Sequence, residues 1–384
     1  MIGGGLQEVA AVEVAQSQGY NIIVTDRNEE APCRESADEF LNIDGENVED
    51  IISFVKKNKE KLDIVGIFTL TELVYSVAAV ANQCGIPGVS VNAAIICQDK
   101  CLSKEKWLND SVSTPIGDVC KTYDQVLNLF KELEDDIFVK PIKGFGGIGA
   151  KRITTEEGLN NFFKKKDIEH FIIEEFCSGP MIDVNGFFNT SGKFFSLGCF
   201  DRTFEKDIVI ETTGIYPSQM PESIQEEAYD LTMKAGLSLG IKWGPIKSDL
   251  VLTSKGLKVL EIAPRLHGPK GTLFLTKLSG GSDHFSSILP LLEGLEIDVK
   301  DIRSPEYISG FRLIEAPSKP FKSIKGLRRL KDEGFDAMIF KNSSFVSIEY
   351  KKSSDAIGYV FASSANDQDL KAKLDYANSL IKFN

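Results

Sequence analysis

The stretch IFVKPIKGFGGIGAKRI, running from Ile137 to Ile153, reads as strand, glycine-rich loop, strand. Ile137, Phe138 and Val139 favour a strand, and Pro141 holds Lys140 extended. Gly144, Gly146, Gly147 and Gly149 give the loop conformations closed to other residues. Such a loop can lay backbone N–H groups against phosphate oxygens, and Lys140, Lys143 and Lys151 add positive charge. The spacing imitates the start of a Walker A loop. Ala150, however, stands where that motif needs lysine, and no helix pattern follows. The stretch is therefore expected to be a glycine-rich hairpin rather than a P-loop. Taken alone, it could equally be a mobile surface hairpin.

A second hairpin, KSDLVLTSKGLKVLEIAPR from Lys247 to Arg265, raises the functional reading. Two alternating runs flank Ser254, Lys255 and Gly256. A three-residue turn ending in glycine is a common hairpin connection, and it sets Thr253 against Leu257, Val251 against Val259 and Asp249 against Glu261. Like charges directly opposed are unfavourable. A hard divalent cation would neutralise them, as Mg²⁺ does when it takes one or two carboxylates plus substrate phosphates. The bland alternative is a solvated edge pair. Arg265 follows just beyond the strand.

The chain has 384 residues, enough for two or three domains, with 42% hydrophobic and 26% charged residues. A net charge of −12 opposes nonspecific binding to nucleic acid or anionic membrane. No secretory signal and no membrane-spanning run is read. Seven cysteines, an odd number without C-x-x-C spacing, suggest reduced thiols and a cytoplasmic location. The three histidines are not at zinc spacing from cysteines.

Along the chain, Gly3, Gly4 and Gly5 precede a helix pattern from about Leu6 to Gln18. Strands are expected at Asn21–Thr25 and Ile64–Phe68, with helices at Val48–Asn58 and Glu72–Gln83. This alternation implies an open, mostly parallel sheet. The glycine turn with Asp26 imitates a dinucleotide fingerprint, but Glu8 occupies the place of its third glycine, and an NAD-dependent dehydrogenase is a minor alternative. Few residues precede the glycines to form the expected first strand; whether the start is truncated, which would leave this domain without a central strand, stays open at the level of sequence. Asp99–Asn109 reads as a helix carrying Lys100, Lys104 and Lys106; Lys100 could reach phosphate, although a lone helical lysine is more often just solvated. A polar helix is expected at Thr155–Lys166. Strand Phe171–Phe176 leads into Met181–Phe188, and Glu174, Glu175 and Phe176 could hold a planar base. Asp201, Arg202 and Glu211 are placed in a polar connection. Pro221–Leu239 reads as a helix. The loop from Leu266 to Gly271 includes His267, which could shuttle a proton or simply pack. The tail from Ile308 alternates short strands with helices at Lys325–Glu333 and Asp367–Ile381.

The ordered set of Asp99-Lys100, Val139 to Pro141, the glycine loop, Glu174 to Phe176, Gly244-Pro245, Asp249 and Glu261 to Arg265 resembles the ATP-grasp superfamily. It is most similar to carboxylate–amine ligases of the L-amino-acid ligase and phosphoribosylaminoimidazole carboxylase ATPase type. The resemblance covers most of the chain. It implies a mixed α/β and α+β fold, with a Rossmann-like pre-ATP-grasp domain at residues 1–98 and an ATP-grasp domain at residues 99–300. The latter would carry a lid subdomain near 136–190, and a small α+β domain would span 301–384. It further implies that ATP is contacted by Lys100, Lys140, Lys143, Gly144, Gly146, Gly147, Glu174, Glu175 and Phe176. Asp249 and Glu261 would hold Mg²⁺, with Mn²⁺ as a substitute. Arg265 and Lys140 would serve the chemistry, and Glu72, Arg202 and His267 would touch substrates. Two departures stand out. Ala263 replaces an asparagine ligand found in many members. Met181 replaces an acid that binds ribose, a role Asp183 on the same strand face could take. The implied reaction joins a small carboxylate and an amine through an acyl phosphate, releasing ADP and phosphate, and a homodimer would be common for such a fold. The competing expectation is a nucleotide-binding regulatory module without chemistry.

Overall fold

The computed structural model describes residues 1–144, 146–204, 210–350 and 355–384; Phe145 of the glycine loop lies outside them. In the N-terminal part, Ile23–Thr25 runs parallel to Glu39–Leu41. Ile2 forms a parallel bridge to Thr25 and donates its N–H to the Phe68 carbonyl at 2.9 Å. Met1 and Ile2 thus take the middle place that the sequence reading left without a strand. Residues 64–68 are not a regular strand, which corrects that expectation. A helix at Val91–Gln98 was not anticipated. Its sequence, VNAAIICQ, is apolar on nearly every side, so it lacks the periodic contrast that marks a surface helix. Ser90 caps it by accepting the Ala93 N–H at 3.1 Å.

A four-stranded antiparallel sheet follows, in the order Gly117–Val119, Phe171–Glu175, Ile137–Pro141 and Lys151–Ile153. Ile137 pairs with Ile153 and Val139 with Lys151, so the glycine loop joins adjacent strands as the sequence implies. Helices Tyr123–Glu132 and Glu156–Phe163 cover one face. The first opens with a capping box between Thr122 and Gln125. Phe130, Leu159 and Phe162 bury against Ile137, Val139, Ile153 and Ile173. Each such side chain contributes about 1.5–3 kcal/mol of burial. This sheet and its two helices therefore have their own core.

Among the described residues the main sheet has eight strands. Their order is Gly256–Ala263, Gly244–Thr253, Met181–Phe188, Phe194–Thr203, Thr213–Tyr216, Ile308–Leu313, Gly358–Ser364 and Asp336–Ile339. Every pairing within it is antiparallel. Helix Glu222–Ser238 packs Ala228, Leu231 and Ala235 onto Ile246, Val259 and Ile262. The strands after residue 300 extend this sheet through the pairing of Thr213–Tyr216 with Ile308–Leu313. Asp201 and Arg202 lie in a strand and not in a polar connection. No described helix is long and apolar enough to cross a membrane.

The turn of the second hairpin also differs from expectation. Thr253 pairs with Gly256, so the connection has two residues, Ser254 and Lys255. Leu250 then faces Val259. A bulge between Asp249 and Leu250 absorbs one extra residue of the partner strand, Leu260, and brings Asp249 opposite Glu261.

Candidate active site

One cleft of about 2670 Å³ runs between the N-terminal part, the lid sheet and the main sheet. Glu261, Asp249 and Asp183 form a row on three adjacent strands, of which Glu261 and Asp249 line the cleft floor and Asp183 lies buried beside them. Three acids at one level need cations, and the protein supplies several. Lys247 donates to Asp249 Oδ1 at 2.6 Å. Arg202 Nη1 lies 3.5 Å from Asp249 Oδ2 and donates to Asp183 Oδ1 at 3.0 Å. Arg202 Nε binds Glu211, whose other oxygen accepts from Lys270 at 3.0 Å. Burial would raise the Asp249 and Glu211 carboxyls. Lys247 and Arg202 outweigh it at Asp249, and Arg202 and Lys270 at Glu211, so both are held below the ordinary range. Burial would likewise discharge Lys247, but Asp249 and Glu261 raise its value instead. Glu261 makes no ion pair with any described residue within 4.0 Å, so its carboxylate is the uncommitted member of the row.

Asp183 does not fit the sugar contact expected of it. It is fully buried, and its Oδ2 lies 2.9 Å from Arg202 and 3.0 Å from His267 Nε2. With no exposed surface it cannot meet a ligand, and its work is to orient Arg202 and His267. Arg202 likewise spends its guanidinium on Asp183, Glu211 and Asp249. His267 stacks on Phe200, with ring centroids 5.5 Å apart, and lines the cleft. Its backbone N–H donates to Asn185 Oδ1 at 2.7 Å. Asp183, Glu211 and His267 lie close enough to share an ion. Arg202 and Lys270 already balance their charge, so a metal there would compete with two fixed cations.

On the lid side, Glu174 is a buried acid between two lysines. Lys140 Nζ sits 2.6 Å from one oxygen and Lys104 Nζ 2.8 Å from the other. Burial opposes the charge on Glu174, but Lys140 and Lys104 hold its carboxyl below the ordinary value. Lys104 is therefore a buried ion-pair partner and not a solvated lysine. It is 4% exposed and also donates to the Pro115 carbonyl. Its three-residue spacing from the buried Trp107 puts both on one helix face, a signal that sequence reasoning passed over. Glu174 thus fixes lysines with its side chain. Glu175 accepts from the Ile116 N–H at 2.7 Å and pairs with Lys258. The N–H groups of Glu175 and Phe176 donate to Ile116 and Asp136 carbonyls. A base lying beside them would have to use their carbonyls or Cys177. Phe176 is covered by Arg152, 3.8 Å from the ring centroid.

Lys100 donates to the Gly144 carbonyl at 2.8 Å, so the start of the glycine loop is tied to the helix Lys100–Asn109. Gly144, Gly146 and Gly147 line the cleft, all at positive φ. Lys143 is exposed and does not line it. Arg265 is 7% exposed; it pairs with Glu72 and donates to the Leu266 carbonyl at 2.8 Å. Its Nε is buried without a partner among the described residues. Burial would raise the Glu72 carboxyl, but Arg265 and Lys247 bring it below its ordinary value. At the glycine turn, Glu8 is buried against Gly5, where a β-carbon would meet its Oε2 at 2.6 Å. An acid in that place opposes a dinucleotide's pyrophosphate, which removes the support for the dehydrogenase reading.

The donors thus fit one hard cation: two opposed carboxylates, one uncommitted, at the open floor of a cleft whose rim carries lysines. Residues 97–269 match the family model described as the ATP-grasp domain. The carbamoyl phosphate synthase large chain of Clostridium perfringens (strain 13 / Type A) is 25% identical over 293 residues, 73% of this chain and 27% of that one. The 3-methyl-D-ornithine–L-lysine ligase of Methanosarcina acetivorans is 25% identical over 266 residues, 69% of this chain and 66% of that one. The chain spans between about a quarter and a half of the length of the first curated relatives it matches. In fold, it superposes on the L-amino acid ligase from Bacillus licheniformis with TM-score 0.82 at 18% identity, covering 100% of this chain and 97% of that one. It is also similar to the N5-carboxyaminoimidazole ribonucleotide synthetase from Thermotoga maritima, with TM-score 0.76 at 19% identity and 100% and 98% coverage.

Proposed function

We propose that the protein is an ATP-dependent carboxylate–amine ligase that activates a small carboxylate as an acyl phosphate. The observation that carries this reading is the facing of Asp249 and Glu261 on the floor of a cleft whose lid loop is held by Lys100. The ATP-grasp match and the ligases among its relatives support it.

In this reading the lid, Lys100 and Lys140 receive the nucleotide phosphates, with the base near Phe176. Asp249 and Glu261 hold Mg²⁺, which when bound neutralises charge on the transferring phosphoryl group. A carboxylate oxygen attacks the γ-phosphorus, and the bond to the bridging oxygen breaks, releasing ADP. Arg265, with its free Nε, steadies the charge on the acyl phosphate. An amine that arrives as an ammonium first sheds one proton; its free nitrogen then attacks the carbonyl carbon, the carbon–oxygen bond to phosphate breaks, and the nitrogen gives up a second proton as the amide forms. Glu8, Asp26, Asp44, Glu46 and Glu72 line the N-terminal side of the cleft, which suits an amine that arrives protonated. Closure of the lid keeps out water, which would hydrolyse the acyl phosphate. Residues 1–98, 99–300 and 301–384 act as the amine-side wall, the nucleotide clamp and the far wall of one site.

The test is ADP release over a panel of carboxylates, with hydroxylamine as the trapping amine. A hydroxamate with one acid supports the reading; bound nucleotide with no ADP from any acid contradicts it. One observation favours a non-catalytic nucleotide-binding module instead, namely the ammonium of Lys247 on Asp249. The same assay separates the two readings.

A further inference from the structure

Lys247 was not expected at the site, yet its place is specific. Strand alternation puts it on the same face as Asp249, two residues away. It is 6% exposed, and its Nζ meets Asp249 Oδ1 at 2.6 Å. Directly across the strand pair from Lys247 is Ala263, which has no ligand atom. The cleft floor therefore has two levels. One carries Asp249 opposite Glu261, and the next carries an ammonium opposite a methyl group. Two divalent ions held side by side need oxygen donors on both levels, because each ion seeks near-octahedral oxygen coordination. Here the second level offers a cation in place of donors. An ammonium is a compact point charge with three donors, suited to phosphate oxygens. Lys247 lines the cleft together with Arg265, so it faces the same space as the other groups at the phosphate end.

We propose that Lys247 is a built-in cation that takes the place of a second divalent ion, so that Asp249 and Glu261 hold one metal ion with the nucleotide and not two. The proposal rests on the nucleotide reading above. It also implies that Lys247 competes with metal for Asp249 when no nucleotide is bound.

Equilibrium dialysis of the full chain can count bound Mn²⁺ and a bound non-hydrolysable ATP analogue together. The wild type is expected to hold one Mn²⁺ per bound nucleotide, K247R also one, and the double variant K247E/A263N, which puts oxygen donors on the second level, two. Two ions in the wild type, or one in K247E/A263N, overturns the proposal. A second arm uses Mn²⁺ alone: K247M should bind it at least about tenfold more tightly than the wild type, since a contacting positive charge has been removed. Equal affinity contradicts the proposal. Failure of the wild type to bind nucleotide counts against the ligase reading itself, and the Mn²⁺-only arm still decides the role of Lys247. Thermal denaturation of each variant confirms that it is folded before the ions are counted.

Discussion

Asp249 faces Glu261 because a bulge takes up Leu260, and the two acids differ in what holds them. Asp249 is bound to Lys247 and lies near Arg202; Glu261 has no ion-pair partner among the described residues. The same loss of charge should therefore have unequal costs. Glu261→Gln should remain as stable as the parent within about 0.5 kcal/mol, while any ADP-forming activity falls by on the order of a hundredfold or more. Asp249→Asn should lose activity and also about 3–5 kcal/mol of stability, because it strands the buried Lys247 ammonium. Urea denaturation beside an ADP assay reads both. Equal stability losses would contradict the assignment.

The two lysines on Glu174 are distinguishable in the same way. Lys140 lines the cleft and Lys104 does not. Lys140→Met should weaken binding of an ATP analogue by at least about tenfold, because a charge-assisted contact to phosphate is lost. Lys104→Met should leave that affinity within about threefold, since Lys140 still pairs with the acid. Glu174→Gln strands both ammonium groups and should cost about 3–5 kcal/mol in stability. Titration with a fluorescent ATP analogue, alongside chemical denaturation, checks all three.

Lid closure should be visible to a protease. Lys143 and Lys151 are exposed at the two ends of the glycine loop, and Lys100 holds the loop through Gly144. Trypsin is expected to cut there first, several-fold faster in Lys100→Met and several-fold slower with bound nucleotide. Mass analysis of timed digests locates the cut. Unchanged cleavage in both cases would detach the loop from the site.

Acid should weaken the fold before its carboxylates titrate. His284 is 1% exposed, its Nε2 lies 3.0 Å from the Tyr216 hydroxyl, and its Nδ1 lies 3.1 Å from Asn185 Nδ2. His267 and Phe200 also face it. Burial lowers its pKa from 6.5 to about 3. The unfolded chain therefore binds more protons than the folded one below pH 6.5, and stability drops as pH falls through that window. The slope should approach about 1.4 kcal/mol per pH unit. Glu211 and Asp249 add their own loss only in stronger acid, because their pKa values are lowered. Stability curves between pH 6.5 and 4.5 should flatten in His284→Gln. A slope that survives this substitution would show that another group carries it.

Much of this arrangement was legible in residue types and spacing. The lid hairpin followed from β-formers on either side of glycines. The opposition of Asp249 and Glu261 was reached through a turn one residue too long, and the bulge at Leu260 made up the difference. Bulges have no local signature when both strands alternate well, so the compensation was invisible. Lys104 and Lys247 were missed for a common reason. A lysine in a helix or strand reads as solvated until its buried partner is known, and each partner here, Glu174 or Asp249, comes from the fold. Asp183 was judged by its strand face alone, which says nothing about whether Arg202 and His267 close over it. The central position of Ile2 depends on contacts with Thr25 and Phe68, distant in sequence, and no local pattern announces it.

The central claim is that Asp249 and Glu261 bind a nucleotide through metal. Calorimetric titration of a non-hydrolysable ATP analogue into the wild type and Glu261→Gln, with Mg²⁺ and with EDTA, tests it directly. Wild-type affinity should rise by at least about tenfold with Mg²⁺, and Glu261→Gln should lose most of that gain. Affinity independent of Mg²⁺, or a gain untouched in Glu261→Gln, would contradict the account.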